Sequence, residues 1–195
     1  MNRSSVLLCQ IVLLTCSSTL LAQRGGHSAG RPSTGASNPT PNTSDMNDFN
    51  RAIALQATPN QIAQFQQLNK STEAASKQAQ NLIQPLKNAI APNSSRYTDL
   101  SDALDEAQTN IQRFVGSFSS AQQSGLKPQI KKLSKADSDV SKQGKSLARE
   151  LERSQIDDKK LAAVTEKLDK SLTGFRTELI DLGKEMGIQP EEHSP

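Results

Sequence analysis

The side chains able to do nucleophilic, redox or metal chemistry are few in this chain and poorly placed for it. Cysteine occurs only at Cys9 and Cys16, and histidine only at His27 and His193, so no histidine lies between Asn50 and Glu192. A Ser-His-Asp or Cys-His arrangement therefore cannot form within a folded core. Glu-x-x-His pairs for a dimetal bundle and Cys/His zinc sites fail for the same reason. No Gly-x-Gly-x-x-Gly or Walker A loop is present to cradle phosphates. Two carboxylate pairs occur, Asp137/Asp139 and Asp157-Asp158. The first is expected on the polar side of a helix and the second at a helix cap, both solvated rather than catalytic. His27, with Arg24 and Arg31 nearby, reads as a linker residue. These residues predict a protein that is not an enzyme and carries no metal or cofactor.

One pattern could still carry binding. From Ser119 to Arg153, at about 100° per residue, Leu126, Ile130, Leu133, Ala136, Val140, Leu147 and Leu151 share one side of a helix. Lys127, Lys131, Lys135, Lys142, Lys145 and Arg149 share the other, within an arc of roughly 80°. Such a stripe fits an anionic partner: a protein or unfolded client, or an anionic envelope surface. Nucleic acid is not expected, because no aromatics interleave with the lysines to stack on bases. Insertion into a membrane interface would need Trp or Phe at the boundary, and this helix has neither. The alternative is a plain solvated surface, or ion pairing with the acidic residues Asp99, Asp102, Asp105 and Glu106 of a preceding helix.

The elements that must position this stripe are themselves helical. There is no Trp, one Tyr and five Phe, so packing relies on Leu, Ile, Val and Ala, and no alternating β-branched run marks a strand. The pattern predicts an all-α bundle of about five amphipathic helices over residues 44–188, in the order short-long, short-long, long. A short helix capped by Ser44 or Asp45 carries Met46, Phe49 and Ile53. Thr58-Pro59-Asn60-Gln61 then reads as a capping box opening a long helix that buries Ile62, Phe65, Leu68, Ala75, Ala79, Leu82, Leu86 and Ile90, kinked at Pro85. A third helix from Ser94 or Ser95 turns Tyr97, Leu100, Leu104, Ala107, Ile111, Phe114, Val115 and Phe118 inward. Ser119 caps the stripe helix, whose first turns are offset by Gly125 and Pro128. Asp157 caps a fifth helix with a heptad of Leu161, Val164, Leu168, Leu172, Phe175, Leu179, Leu182 and Met186, usable as a bundle face or an oligomer seam. Gly187 and Pro190 stop it, leaving a frayed tail over 189–195.

Ahead of the bundle, residues 1–22 read as a secretory signal, with Asn2 and Arg3 before an apolar core from Val6 to Leu14 and cleavage after Ala22. That core is too short and polar for a membrane span. Lipoprotein processing at Cys16 is the alternative. Removing the leader takes both cysteines and Arg3, leaving Lys+Arg at 22 against 20 acids and excluding thiol chemistry in the mature chain. Residues 23–43, rich in Gly, Ser and Pro, form a flexible tether. The expected location is periplasmic or secreted, in a bacterial envelope. The sequons Asn42-Thr43-Ser44, Asn69-Lys70-Ser71 and Asn93-Ser94-Ser95 would matter only in a eukaryotic source.

A shift of 61 residues brings Thr58 onto Ser119, Gln61 onto Gln122, Phe65 onto Leu126, Ala75 onto Ala136, Ala79 onto Val140, Leu86 onto Leu147 and Ile90 onto Leu151. Because that shift is about 17 helical turns, apolar faces would align by arithmetic alone, and only the matching caps point to duplication. The two caps, Ala57-Thr58-Pro59-Asn60-Gln61 and Phe118-Ser119-Ser120-Ala121-Gln122, resemble two copies of the LTxxQ motif of the Spy/CpxP-like periplasmic proteins. Leucine is absent from both copies, and serine replaces threonine in the second. The resemblance implies a small, secreted, all-helical chaperone or stress sensor, often dimeric, with Thr58, Gln61, Ser119 and Gln122 as structural caps. The sequence as a whole predicts an exported, non-enzymatic binding or chaperone-like bundle protein; the alternative is an oligomerising, coiled-coil-like structural protein.

Overall fold

Capping chemistry sets the helix boundaries. The computed structural model describes residues 53–88, 90, 92, 94–153 and 155–189. The leader with both cysteines, the tether, His27, the cap at Ser44 or Asp45, Met46, Phe49 and His193 lie outside the described residues. Regular structure among the described residues is entirely α-helical. Residues 53–55 are helical, followed by α1 (Pro59–Lys87), α2 (Ser94–Gly116), α3 (Ser120–Gly125), α4 (Lys127–Leu151) and α5 (Asp158–Glu185).

The chain runs up α1, down α2, up α3 and α4, and down α5. Helix α5 packs along both α1 and α4, and α1 packs along α2. The fourth seam, α2 against α4, is the loosest of the four, so the bundle is closed on three sides and slack on one. The stripe helix breaks as expected at Leu126, which ends α3 and begins α4 while its own side chain is buried. Asp157 caps α5 by accepting from the Lys159 and Lys160 N–H groups. Gly187, at φ 72°, lets the Ile188 N–H reach back to the Gly183 carbonyl at 2.8 Å, a Schellman-type stop. Ile188 then joins the core, and the Ala57 N–H donates to the Met186 carbonyl at 2.9 Å, tying the entrance of α1 to the end of α5.

The core has two parts. One, near the loop between α2 and α3, gathers Phe65, Leu68, Phe114, Phe118, Leu126, Leu133, Phe175, Leu179 and Leu182. The other, toward the opposite end, gathers Ala79, Leu82, Leu86, Leu100, Leu147, Leu161 and Leu168. Between them lies a polar waist, where Asn110 Nδ2 donates to Ser71 Oγ at 3.1 Å and Thr72 is also buried.

Some expectations change. α1 does pass Pro85 but ends at Lys87, so Ile90 falls beyond the helix and is 60% exposed rather than buried. Leu104, Ile111, Val115, Val140 and Leu151 are only half-buried, most of them because they border the slack seam. Buried positions also recur at the 61-residue shift, as the helical period alone would give: Leu100 and Leu161, Ala107 and Leu168, Phe114 and Phe175, Phe118 and Leu179. The long helices form two hairpins, α1–α2 and α4–α5.

Candidate functional site

Helix α4 carries the cationic stripe, and its geometry follows from its sequence. Pro128 in the first turn suits a helix start, where the missing N–H costs nothing. Leu133 and Leu147, about four turns apart, are buried and fix which side turns inward. The opposite side is solvent-facing: Lys127, Lys131, Lys135, Lys142, Lys145 and Arg149 are all exposed. At 1.5 Å per residue the row is about 33 Å long. Among the described residues the ion pairs join Lys87 to Glu166, Arg153 to Glu150, Lys160 to Asp157, Arg176 to Glu73 and Lys184 to Asp181; none involves the stripe. Asp99, Asp102, Asp105 and Glu106 on α2 are likewise exposed and outside those pairs. Among the described residues, therefore, nothing covers the stripe, and it is not glue between α4 and α2.

The slack seam runs beside it. A cavity of about 10 Å³, roughly one water, is lined by Leu104, Gln108 and Ile111 of α2, Asp137 and Val140 of α4, and Thr72, Leu172 and Phe175 behind them. Asp137 does not sit on the polar side. It lies four residues after Leu133, on the inward face, and its Oδ1 is buried with no hydrogen-bond partner among the described residues. Burial raises its pKa above the ordinary carboxylate value, and the nearby Gln108 side chain pulls the other way. Asp157, by contrast, is lowered, chiefly by the Lys160 backbone N–H at its helix cap, and Glu166 is lowered by Lys87.

The two predicted caps come together, which sequence spacing alone did not disclose. Thr58 Oγ1 accepts from the Gln61 N–H and Ser119 Oγ from the Gln122 N–H. Each glutamine Oε1 in turn accepts from its own cap's backbone N–H, at 2.9 Å in both copies. The two amides then bond each other: Gln61 Nε2 donates to Gln122 Oε1 at 2.9 Å and Gln122 Nε2 to Gln61 Oε1 at 3.1 Å. Their remaining N–H groups donate to the carbonyls of Ser117 and Gln56, each 3.0 Å away. Gln56 and Ser117 are themselves related by the 61-residue shift. Both side chains are 3% exposed, and every donor and acceptor of both amides is used. The signal that could have found this pair is the glutamine at the same register in both copies.

Among the described residues, no three His, Cys, Asp or Glu side chains group to hold a metal ion. No described helix is long and apolar enough to cross a membrane. What α4 presents to solvent is a row of cations beside a seam with an apolar floor. Compared with protein-family models, curated proteins and solved structures, the chain matches none.

Proposed function

We propose that this is a non-enzymatic binding protein, exported to the cell envelope, that holds acidic polypeptide segments along α4. The observation that carries this reading is the row of six exposed cations on one helix face, none in an ion pair among the described residues. A narrow, linear partner fits better than a flat anionic membrane, because a plane laid on this side of the bundle would also meet Asp102 and Asp105 of α2. A chaperone-like role would work through charge. The exposed large apolar side chains among the described residues, Ile53, Ile90 and Ile156, are scattered and form no apolar client surface. The oligomer-seam alternative draws less support, since Leu161, Leu168, Leu172, Phe175, Leu179 and Leu182 of α5 are 0–2% exposed inside their own chain. The resemblance to Spy/CpxP-like proteins stays a proposal beside this one, supported by both T/S-x-x-Q copies acting as helix caps.

The test is fluorescence anisotropy of a labelled poly-glutamate peptide titrated with the mature protein. Binding at low salt should weaken steeply as salt rises and be lost in Lys131→Glu/Lys142→Glu/Lys145→Glu. Equal binding by that variant, or none by the wild type, would sink the proposal.

A further inference from the structure

Resting on the reading of α4 as a face for acidic protein surfaces, we infer that one such surface is the acidic row of α2 on a second copy of this chain, the two copies pairing through their α2–α4 faces as a symmetric dimer. Two contacts across the slack seam fix which residues of α2 and α4 stand at the same height. Gln108 and Asp137 line the same small cavity from opposite helices, and a Cβ built on Gly144 would lie 4.0 Å from Leu104 Cδ1. Counting back along α2 and forward along α4 from these points puts Asp105 level with Lys142, Asp102 with Lys145, and Asp99 with Arg149, each to within about one residue's rise. Three acids and three cations thus run side by side at matched heights, all exposed and none in an ion pair among the described residues.

A two-fold axis parallel to the helices turns this arrangement into a contact. It lays α2 of one copy over α4 of the other without changing any height, so each acidic row meets a cationic row, twice per dimer. The same operation brings together the half-buried Leu104, Ile111 and Val140 that border the seam. With 23 residues in α2 and two helices side by side, the face measures about 35 by 20 Å. Two such faces bury about 1,400 Å², within the range of specific interfaces. The lower half of α4, with Lys127, Lys131 and Lys135, meets no acid of α2 in this arrangement and stays open to another partner.

Charge reversal tests this on the mature chain by light scattering at low salt across a wide concentration range. The wild type should reach a mass twice that of one chain and return to one chain at high salt. Variant A, Asp99→Lys/Asp102→Lys/Asp105→Lys, and variant B, Lys142→Glu/Lys145→Glu/Arg149→Glu, should each give a single chain, and a mixture of A and B should regain the doubled mass. The neutral pair, Asp102→Asn/Asp105→Asn and Lys142→Gln/Lys145→Gln, repeats the comparison with smaller perturbation and should shift each dimer toward single chains. A single-chain mass for the wild type at every concentration overturns the inference, as does a mixture of A and B that fails to pair, or variants that dimerise as well as the wild type. The functional reading is separable in the same samples. Variant A keeps all six cations uncovered, so poly-glutamate binding by monomeric A supports that reading alone, and a monomeric A that never binds the peptide removes it while leaving the wild-type dimer intact.

Discussion

Gln61 and Gln122 do with two side chains what most bundles do with loops and water. Each satisfies its own helix cap and the carbonyl two residues ahead of the other's cap, and each completes the other. Gln61→Leu leaves the Ser117 carbonyl, the Thr58 N–H and one side of Gln122 without partners in a dry site. It should cost about 2–4 kcal/mol, measured by urea denaturation. Adding Gln122→Leu should cost less than the sum of the two single changes, because the second removes groups already stranded by the first. Asp137 works in the opposite sense. Its folded pKa is raised, so the fold favours the protonated carboxyl: the contribution is favourable below the ordinary carboxylate value and is lost as pH rises through that value to the raised one. Asp137→Asn should therefore raise stability at pH 7, measured by urea denaturation, and the difference between variant and wild type should shrink in acid. The capping role of the glutamines is legible in T/S-x-x-Q, since a cap is a local signal. Their mutual bond is not, because it joins residues 61 apart, and Asp137 is misread when helix position is judged from its neighbour Asp139 instead of from Leu133.

Helix α5 is the element around which the others close, and its glycines show how closely. A methyl at Gly183 would lie 2.6 Å and 2.8 Å from two ring atoms of Phe65, itself 2% exposed. Gly183→Ala should force α1 and α5 apart and cost about 1–3 kcal/mol. Gly174, exposed in the same helix with nothing within 4 Å, makes the contrast: Gly174→Ala should stabilise by about 0.5–1 kcal/mol. Thermal unfolding of the two variants reads both signs at once. The α5 heptad is easy to see in the sequence, and periodicity says that it is buried without saying against what. Here α1 and α4 cover it from within the chain. The end of α1 is harder to read. The apolar spacing through Leu86 to Ile90 continues the helix on paper, whereas the proline at 85 and the turn that follows end it at Lys87.

Across the whole molecule, the all-α class and the inward faces follow from composition and periodicity, because each helix declares its own apolar side. Which seam stays slack does not follow, since it depends on how four faces of unequal bulk share one core; Gly144 facing Leu104 is the kind of detail that decides it. The interfaces that hold the hairpins together, α1 with α5 and the amide pair, run between the halves rather than within them. Hairpins 53–118 and 119–189 prepared separately should each show weak helicity by circular dichroism, and mixing them should restore the helical signal of the joined chain; independent folding of either at low concentration would contradict this.

The reciprocity of the two glutamines gives the bundle a local two-fold symmetry. Each Thr/Ser-x-x-Gln cap offers the other an amide donor and an amide acceptor, and each takes the carbonyl two residues ahead of the other cap. Neither cap can open without stranding polar groups on the other, so the starts of α1 and α3 are bound to open and close together.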